Sequence, residues 1–297
     1  MGNTSSIAIG APGGVHQRLL YHAAVTRLII ADAHVGHGGA DASDMAGLVA
    51  RAADAGFGEL IYLGDAFQYL IGMAKFWTPS VRLVLGQWDL ARRRGVRIVL
   101  IEGNRDFFLD EPDLAAHVDR TCRRYEFEAG PRRFRIVHGD RVNLRDIQYR
   151  FWSAVSKSGL ARIWARLLPA SLAVAIVSTM EARLAATNRK YRYRKPVRDL
   201  ERAASAAWAE GIDVLLWGHF HTSWTCRQDD RLAIVIPAWM ETRGCLGVSA
   251  DGSWAWLSPT LEPQPLPPPP EAESGGRTGT PRGPDAGPGI GVRRSRR

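Results

Sequence analysis

Cysteine is scarce: three residues (Cys122, Cys226, Cys245) in a chain of 297, with no CxxC pair among them. So sparse and odd a count excludes a disulfide framework and a thiolate zinc site, and fits a reducing cytosol. Lysine is scarcer than it should be, with four among the 39 basic residues, so the positive charge is carried by arginine, whose planar fork also suits phosphate. No run of 18 apolar residues occurs, so no spanning helix is expected. The first twenty residues have neither a basic start nor a long apolar core, and no secretory leader is expected there. What is present is ordinary for a globular fold: 45% hydrophobic and 23% charged residues, enough for one large domain.

The charge is unevenly placed. Residues 141–198 hold 13 Lys or Arg against two acids, Asp146 and Glu181, so this segment alone carries +11 while the whole chain carries +9. The same segment is amphipathic. Leu144, Ile147, Phe151 and Val155 recur at helical spacing, then Leu160, Ile163, Trp164, Leu167 and Leu168 up to Pro169, then Leu172, Ile176, Met180 and Leu184. Two or three helices with arginine-rich outer faces are predicted. Their apolar stripes either pack on the rest of the chain or lie against an anionic lipid surface. Nucleic acid is not expected as a partner, because no recognised binding motif accompanies the charge. Residues 261–297, with nine of the 17 prolines and a terminal RRSRR, read as a disordered tail. Residues 1–25 read as a flexible start, leaving a domain at 26–260.

Within that domain, short β-branched runs alternate with helical stretches, an α/β pattern. Strands are predicted at 27–31, 59–63, 97–101, 134–137 and 213–217, and helices at 42–55, 80–94, 106–118 and 196–210. Four closely spaced strands follow, at 223–227, 232–237, 244–248 and 254–257, suggesting a second, more antiparallel sheet. The first five strands all stop at polar residues. These are Asp32-Ala33-His34, Gly64-Asp65, Gly103-Asn104-Arg105-Asp106, His138-Gly139-Asp140 and Gly218-His219-Phe220-His221. Ligands of open α/β folds gather at the C-terminal ends of strands, so these groups should converge. Any one of them alone has a bland explanation as a turn, a cap or a core histidine. Two Asp, one Asn and four His in this order are too many ligands for one tetrahedral ion. They divide into two sets if one carboxylate bridges, as in two-metal phosphoester cleavage.

The ordered set resembles the calcineurin-like metallophosphoesterases, whose pattern runs DxH, GD, GN(H/R), a later His and GHxH. The resemblance implies a double β-sheet sandwich flanked by helices. It also implies one divalent ion on Asp32, His34, Asp65 and His221 and a second on Asp65, Asn104, His138 and His219. The ions are expected to be Mn²⁺, with Fe²⁺ or Zn²⁺ also suited, and a hydroxide between them would attack phosphorus in line. Asn104, Arg105 and His138 become the catalytic candidates. The GNRDF sequence is similar to that of the UDP-2,3-diacylglucosamine pyrophosphatases of lipid A synthesis, where Arg105 would hold a second phosphate. That resemblance places Asp146, Tyr149 and Lys190 among the substrate contacts. It makes the basic segment at about 141–198 a helical cap insertion holding acyl chains. It implies cleavage of a lipid-linked nucleotide diphosphate to UMP and a lipid monophosphate, by a protein peripheral to the cytoplasmic face of the membrane. One departure is Gln68, where that family has an acid after GDxF. Another lipid-linked or soluble nucleotide diphosphate is the alternative substrate.

Overall fold

The structure, a computed structural model, describes residues 25–36, 39–142, 155–173, 175, 176, 179 and 196–267. Its strands form two main sheets. The first contains β1 (Val25–Ile30), β2 (Glu59–Leu63), β4 (Arg97–Ile101), β6 (Arg120–Cys122), β12 (Cys245–Ser249) and β13 (Trp254–Leu257), in the order β13-β12-β1-β2-β4-β6. The second contains β7 (Arg124–Ala129), β8 (Arg132–Val137), β9 (Val214–Trp217), β10 (Trp224–Gln228) and β11 (Arg231–Val235), in the order β10-β11-β9-β8-β7. A two-residue pair, β3 (Leu70–Ile71) and β5 (Asp106–Phe107), stands apart.

The alternation of side chains along each strand sorts the core into layers. From the first sheet, Ile29, Ile61, Leu63, Val99 and Ile101 turn inward to meet Phe134, Ile136, Val214 and Leu216 of the second. The intervening Leu28, Leu60, Tyr62, Ile98 and Leu100 turn outward against α1 (Gly39–Asp54) and α2 (Pro79–Arg93). On the far side, Leu215 and Trp217 of β9 pack with Leu200, Ala204, Ala207 and Trp208 of α5 (Val197–Ala209). The result is the expected helix–sheet–sheet–helix sandwich. Helix α2 shows why its sequence folds there. Thr78 caps it by accepting from the Val81 amide, Pro79 opens its first turn, and Val81, Val84, Leu85, Trp88 and Ala91 form one buried stripe.

Four expectations change. The helix predicted over 106–118 is instead β5, a loop and the short α3 (Pro112–Ala115). Asp106 spends its side chain on backbone amides of two loops, and Pro112 allows a helix to start only at its own position. The closing strands do not form a sheet of their own. Strands β10 and β11 extend the second sheet, whereas β12 and β13 return to the first and pair antiparallel beside β1. The tail is packed at its beginning: Leu261 is buried in the helix-side core and the Gln264 amide donates to the Trp256 carbonyl.

The fourth change concerns α4 (Gly159–Leu167), a helix within the basic segment. Its arginines are engaged in ion pairs with the loop before α3, although Arg166 stays 56% exposed. Arg162 pairs with Asp110 at 2.6 Å and Arg166 with Glu111 at 2.9 Å, while Lys75 donates to the carbonyls of Arg166 and Leu168 at the helix end. Ala161, Ala165 and Leu168 pack towards Phe108, Met73 and Phe76. The large apolar side chains face out, with Leu160 67%, Trp164 64% and Leu167 72% exposed. The large apolar side chains therefore reach solvent, and Arg166 is exposed alongside them. No helix among the described residues is long and apolar enough to cross a membrane.

Candidate metal centre

Strands β1, β2 and β4 run parallel in one sheet, and β8 and β9 run parallel in the other. Their C-terminal ends deliver all seven predicted ligands to one place between the sheets. The first sheet brings Asp32, His34, Asp65 and Asn104; the second brings His138, His219 and His221. The backbone there is forced. Asp32, His34, Asp65, His219 and His221 all have φ between 45° and 69°, the left-handed region that L-residues rarely enter. Five such residues on three adjoining loops mark a site whose geometry the surrounding fold imposes. Two glycines allow the loops to interlock. A Cβ at Gly64, itself at φ 74°, would collide with the His138 ring, and one at Gly103 would collide with the Asp65 carboxylate.

The donor atoms form two overlapping groups, Asp32–His34–His221 and Asp32–Asp65–His138, the atoms in each lying within 4.8 Å of one another. His34 Nε2 and His221 Nε2 are 3.3 Å apart, with the rings stacked. His34 Nε2 and His138 Nε2 each lie 3.8 Å from Asp65 Oδ2, which therefore stands between the two sides of the site. Asn104 Oδ1 is 3.0 Å from both His138 Nε2 and His219 Nδ1.

The electrostatics call for a cation. Asp32 is wholly buried, and its Oδ1 has no hydrogen-bond partner among the described residues. Burial holds its carboxyl above the usual range, although His221 and His138 pull the other way. Burial would lower the His138 imidazole, but the Asp65 and Asp32 carboxylates outweigh it and hold it at about 9. Burial and the neighbouring His138 charge push His219 down to about 4. The His138 Nδ1–H donates to the Leu63 carbonyl at 3.0 Å, which fixes the ring and leaves Nε2 for the site. With Nδ1 committed, Nε2 faces an acceptor oxygen of Asn104, a contact that needs either a proton or a metal ion between them. Oxygen and imidazole donors on a buried, carboxylate-rich floor fit Mn²⁺, Fe²⁺ or Zn²⁺.

Arg105 lies beside this floor. It is buried, its backbone N–H donates to Asp65 Oδ1 at 2.9 Å and its guanidinium donates to Gln68 Oε1 at 2.5 Å. Asp146, Tyr149 and Lys190 lie outside the described residues. A cavity of about 520 Å³ adjoins the centre at His138 and Gly139, floored by Leu215, Trp217 and Ala207 and rimmed by arginines that include Arg141.

Three residues near the site carry roles that motif spacing did not assign. Buried Asp106 ties two loops together, and Glu241 faces His221. Lys157 donates to Glu102 and to the Gly103 carbonyl at 2.7 Å, fastening the segment before α4 to the Asn104 loop. Only Asp106 left a sequence signal, as the acid closing the Gly103–Asp106 motif.

No family model matches the chain. A UDP-2,3-diacylglucosamine hydrolase of Ralstonia nicotianae is 32% identical over 107 residues, which is 35% of this chain and 40% of that protein. One of Aliivibrio fischeri is 27% identical over 171 residues, 55% of this chain and 68% of that protein. The first match thus spans less than half of that relative's length. Among solved structures, a dimetal phosphatase from Danio rerio aligns with a TM-score of 0.45 and 13% identity, over 79% of this chain and 95% of that one. By its two-sheet fold, the order of its ligand-bearing loops and these two curated relatives, the chain resembles the calcineurin-like metallophosphoesterases and, among them, the UDP-2,3-diacylglucosamine hydrolases.

Proposed function

We propose that the chain is a metal-dependent phosphoric ester hydrolase that cleaves the diphosphate of UDP-2,3-diacylglucosamine to UMP and 2,3-diacylglucosamine 1-phosphate. The observation that carries this reading is the convergence of seven oxygen and imidazole donors around Asp65, with the buried Arg105 guanidinium beside them. Asp32, His34, Asp65 and His221 would hold one ion; Asp65, Asn104, His138 and His219 would hold the other. Bound there, two ions supply Lewis-acid charge at the phosphoryl oxygens and lower the pKa of water.

The chain's own residues supply the rest. Asp65 stands between the two halves of the donor set and also fixes the Arg105 backbone. Gln68 orients the Arg105 side chain, whose Nε also lies 3.8 Å from Asp65 Oδ2, so that its planar fork would bind the second phosphate of a diphosphate. Leu63 holds the His138 ring through its carbonyl. The cavity beside His138 leaves room for the organic part of a large substrate.

The outward apolar face of α4 supports a lipid-bearing substrate and a place at the cytoplasmic face of an anionic membrane. Purified protein with Mn²⁺, assayed on UDP-2,3-diacylglucosamine and on UDP-N-acetylglucosamine, tests the reading. Strong preference for the acylated compound, with UMP released, is the expected result. Equal rates would keep the hydrolase and remove the lipid substrate.

A further inference from the structure

His221 divides its two ring nitrogens between two environments. Its Nε2 faces the centre, 3.3 Å from His34 Nε2 and 4.0 Å from Asp32 Oδ1. Its Nδ1 faces away, 3.6 Å from Glu241 Oε1, and has no hydrogen-bond partner among the described residues. Glu241 lies on α6 (Trp239–Thr242), a single turn directly after β11. That turn is fixed from below. Trp239 is buried and its amide donates to the Ala31 carbonyl at 2.8 Å; the Met240 amide lies 3.4 Å from the Asp32 carbonyl. Arg243, in the left-handed conformation, closes the turn, stacks over the Trp239 ring at 4.4 Å and pairs with Asp41 of α1. The loop that carries Asp32 therefore also sets the position of the acid behind His221.

We infer that Glu241 is the positioning residue for His221: its carboxylate holds the ring by Nδ1 so that Nε2 is presented to the ion. The inference rests on the proposed two-metal reading of the centre. A carboxylate behind an imidazole fixes the tautomer and raises the basicity of the ligating nitrogen, and loss of such partners typically weakens metal affinity about 10- to 100-fold. Asp32 contacts the Nε2 side of the ring, so it does not substitute for an acid at Nδ1.

The test is calorimetric titration of Mn²⁺ into the metal-stripped full chain, for wild type, Glu241→Gln, Glu241→Asp, His221→Ala and the double variant Glu241→Gln/His221→Ala. Glu241→Gln keeps the shape and removes the charge. One of two ions is expected to bind about 10- to 100-fold more weakly in Glu241→Gln. The other is expected to be unchanged, with Glu241→Asp recovering part of the loss. In the His221→Ala background, Glu241→Gln is expected to cost nothing further, because the two residues act as one unit. Two ions bound by Glu241→Gln with wild-type affinity would overturn the inference, as would an equal loss with and without His221. Wild type binding no ion would instead remove the two-metal reading and the inference with it.

Discussion

The Asp106 carboxylate accepts the backbone N–H of Asp65 at 3.0 Å and, through the same oxygen, that of Gly103 at 2.7 Å. One buried side chain thus sets the spacing between the loops after β2 and β4, which carry Asp65 and Asn104. Burial, with the Asp65 charge beside it, holds the Asp106 carboxyl well above the ordinary carboxylate range. Asp106→Ala leaves two buried amides unsatisfied, at about 1–3 kcal/mol each. Denaturant unfolding should show a loss of that order, with Asp106→Asn losing less because it keeps an acceptor. Unchanged stability in Asp106→Ala would sink this role.

Asp65 stands between the two halves of the donor set, so Asp65→Ala should lower hydrolysis by orders of magnitude and reduce bound Mn²⁺ from two ions per chain. Elemental analysis beside a rate assay checks both. A near-wild-type rate would rule out the bridging assignment.

Metal binding should compete with protons. His138, held at about 9, is protonated at neutral pH when no ion is bound, whereas an unfolded histidine titrates near 6.5. In the metal-free chain, this contribution to stability is complete below about 6.5 and is lost as pH rises through about 9. An ion must displace that proton. Between pH 7 and 8 the apparent Mn²⁺ affinity should therefore rise about tenfold, with about one proton released per chain. Titration in buffers of different ionisation enthalpy measures the release; pH-independent affinity would contradict the assignment.

Arg105→Ala should lower kcat/KM about 10²- to 10³-fold on a diphosphate substrate, the scale of one preorganised donor at a developing charge. Arg105→Lys should not restore it, because an ammonium lacks the planar fork that Gln68 orients. Full activity in the lysine variant would show that a point charge suffices.

Trp164→Glu and Leu167→Glu place charges on the outward face of α4, away from Arg162 and Arg166 and their acidic partners. Both variants should float less with anionic liposomes while retaining the metal stoichiometry of wild type. Undiminished flotation would separate α4 from membrane contact.

Much of this was legible in the sequence. Strands β2, β4 and β13 match their expected bounds because their β-branched or aromatic runs stop sharply at Gly, Asp or turn residues. The seven candidate ligands were legible because each follows a strand, and parallel strands must deliver their ends to one edge. Asp106 was misread for a physical reason: an acid before an apolar stretch looks like a helix start, and nothing local says that its side chain is committed to the amide of Gly103 and to that of Asp65, 41 positions away. The exposed apolar side of α4 was hidden likewise. Nothing local says that Ala161, Ala165 and Leu168, rather than the larger apolar residues, meet Phe108, Met73 and Phe76. Glu241 lay outside any motif, since its meaning comes from a turn seated on the loop after β1.

A site that takes four candidate donors from one sheet and three from the other also reports on assembly. Neither sheet alone presents a complete set, so ions held there would bind the closed sandwich and not its parts. Whatever binds only the folded form stabilises it, by about 2.7 kcal/mol when the free ligand is at a hundred times its dissociation constant. The metals that serve the chemistry would then also clamp the two sheets together, and the lifetime of the folded chain would follow the supply of divalent ions around it.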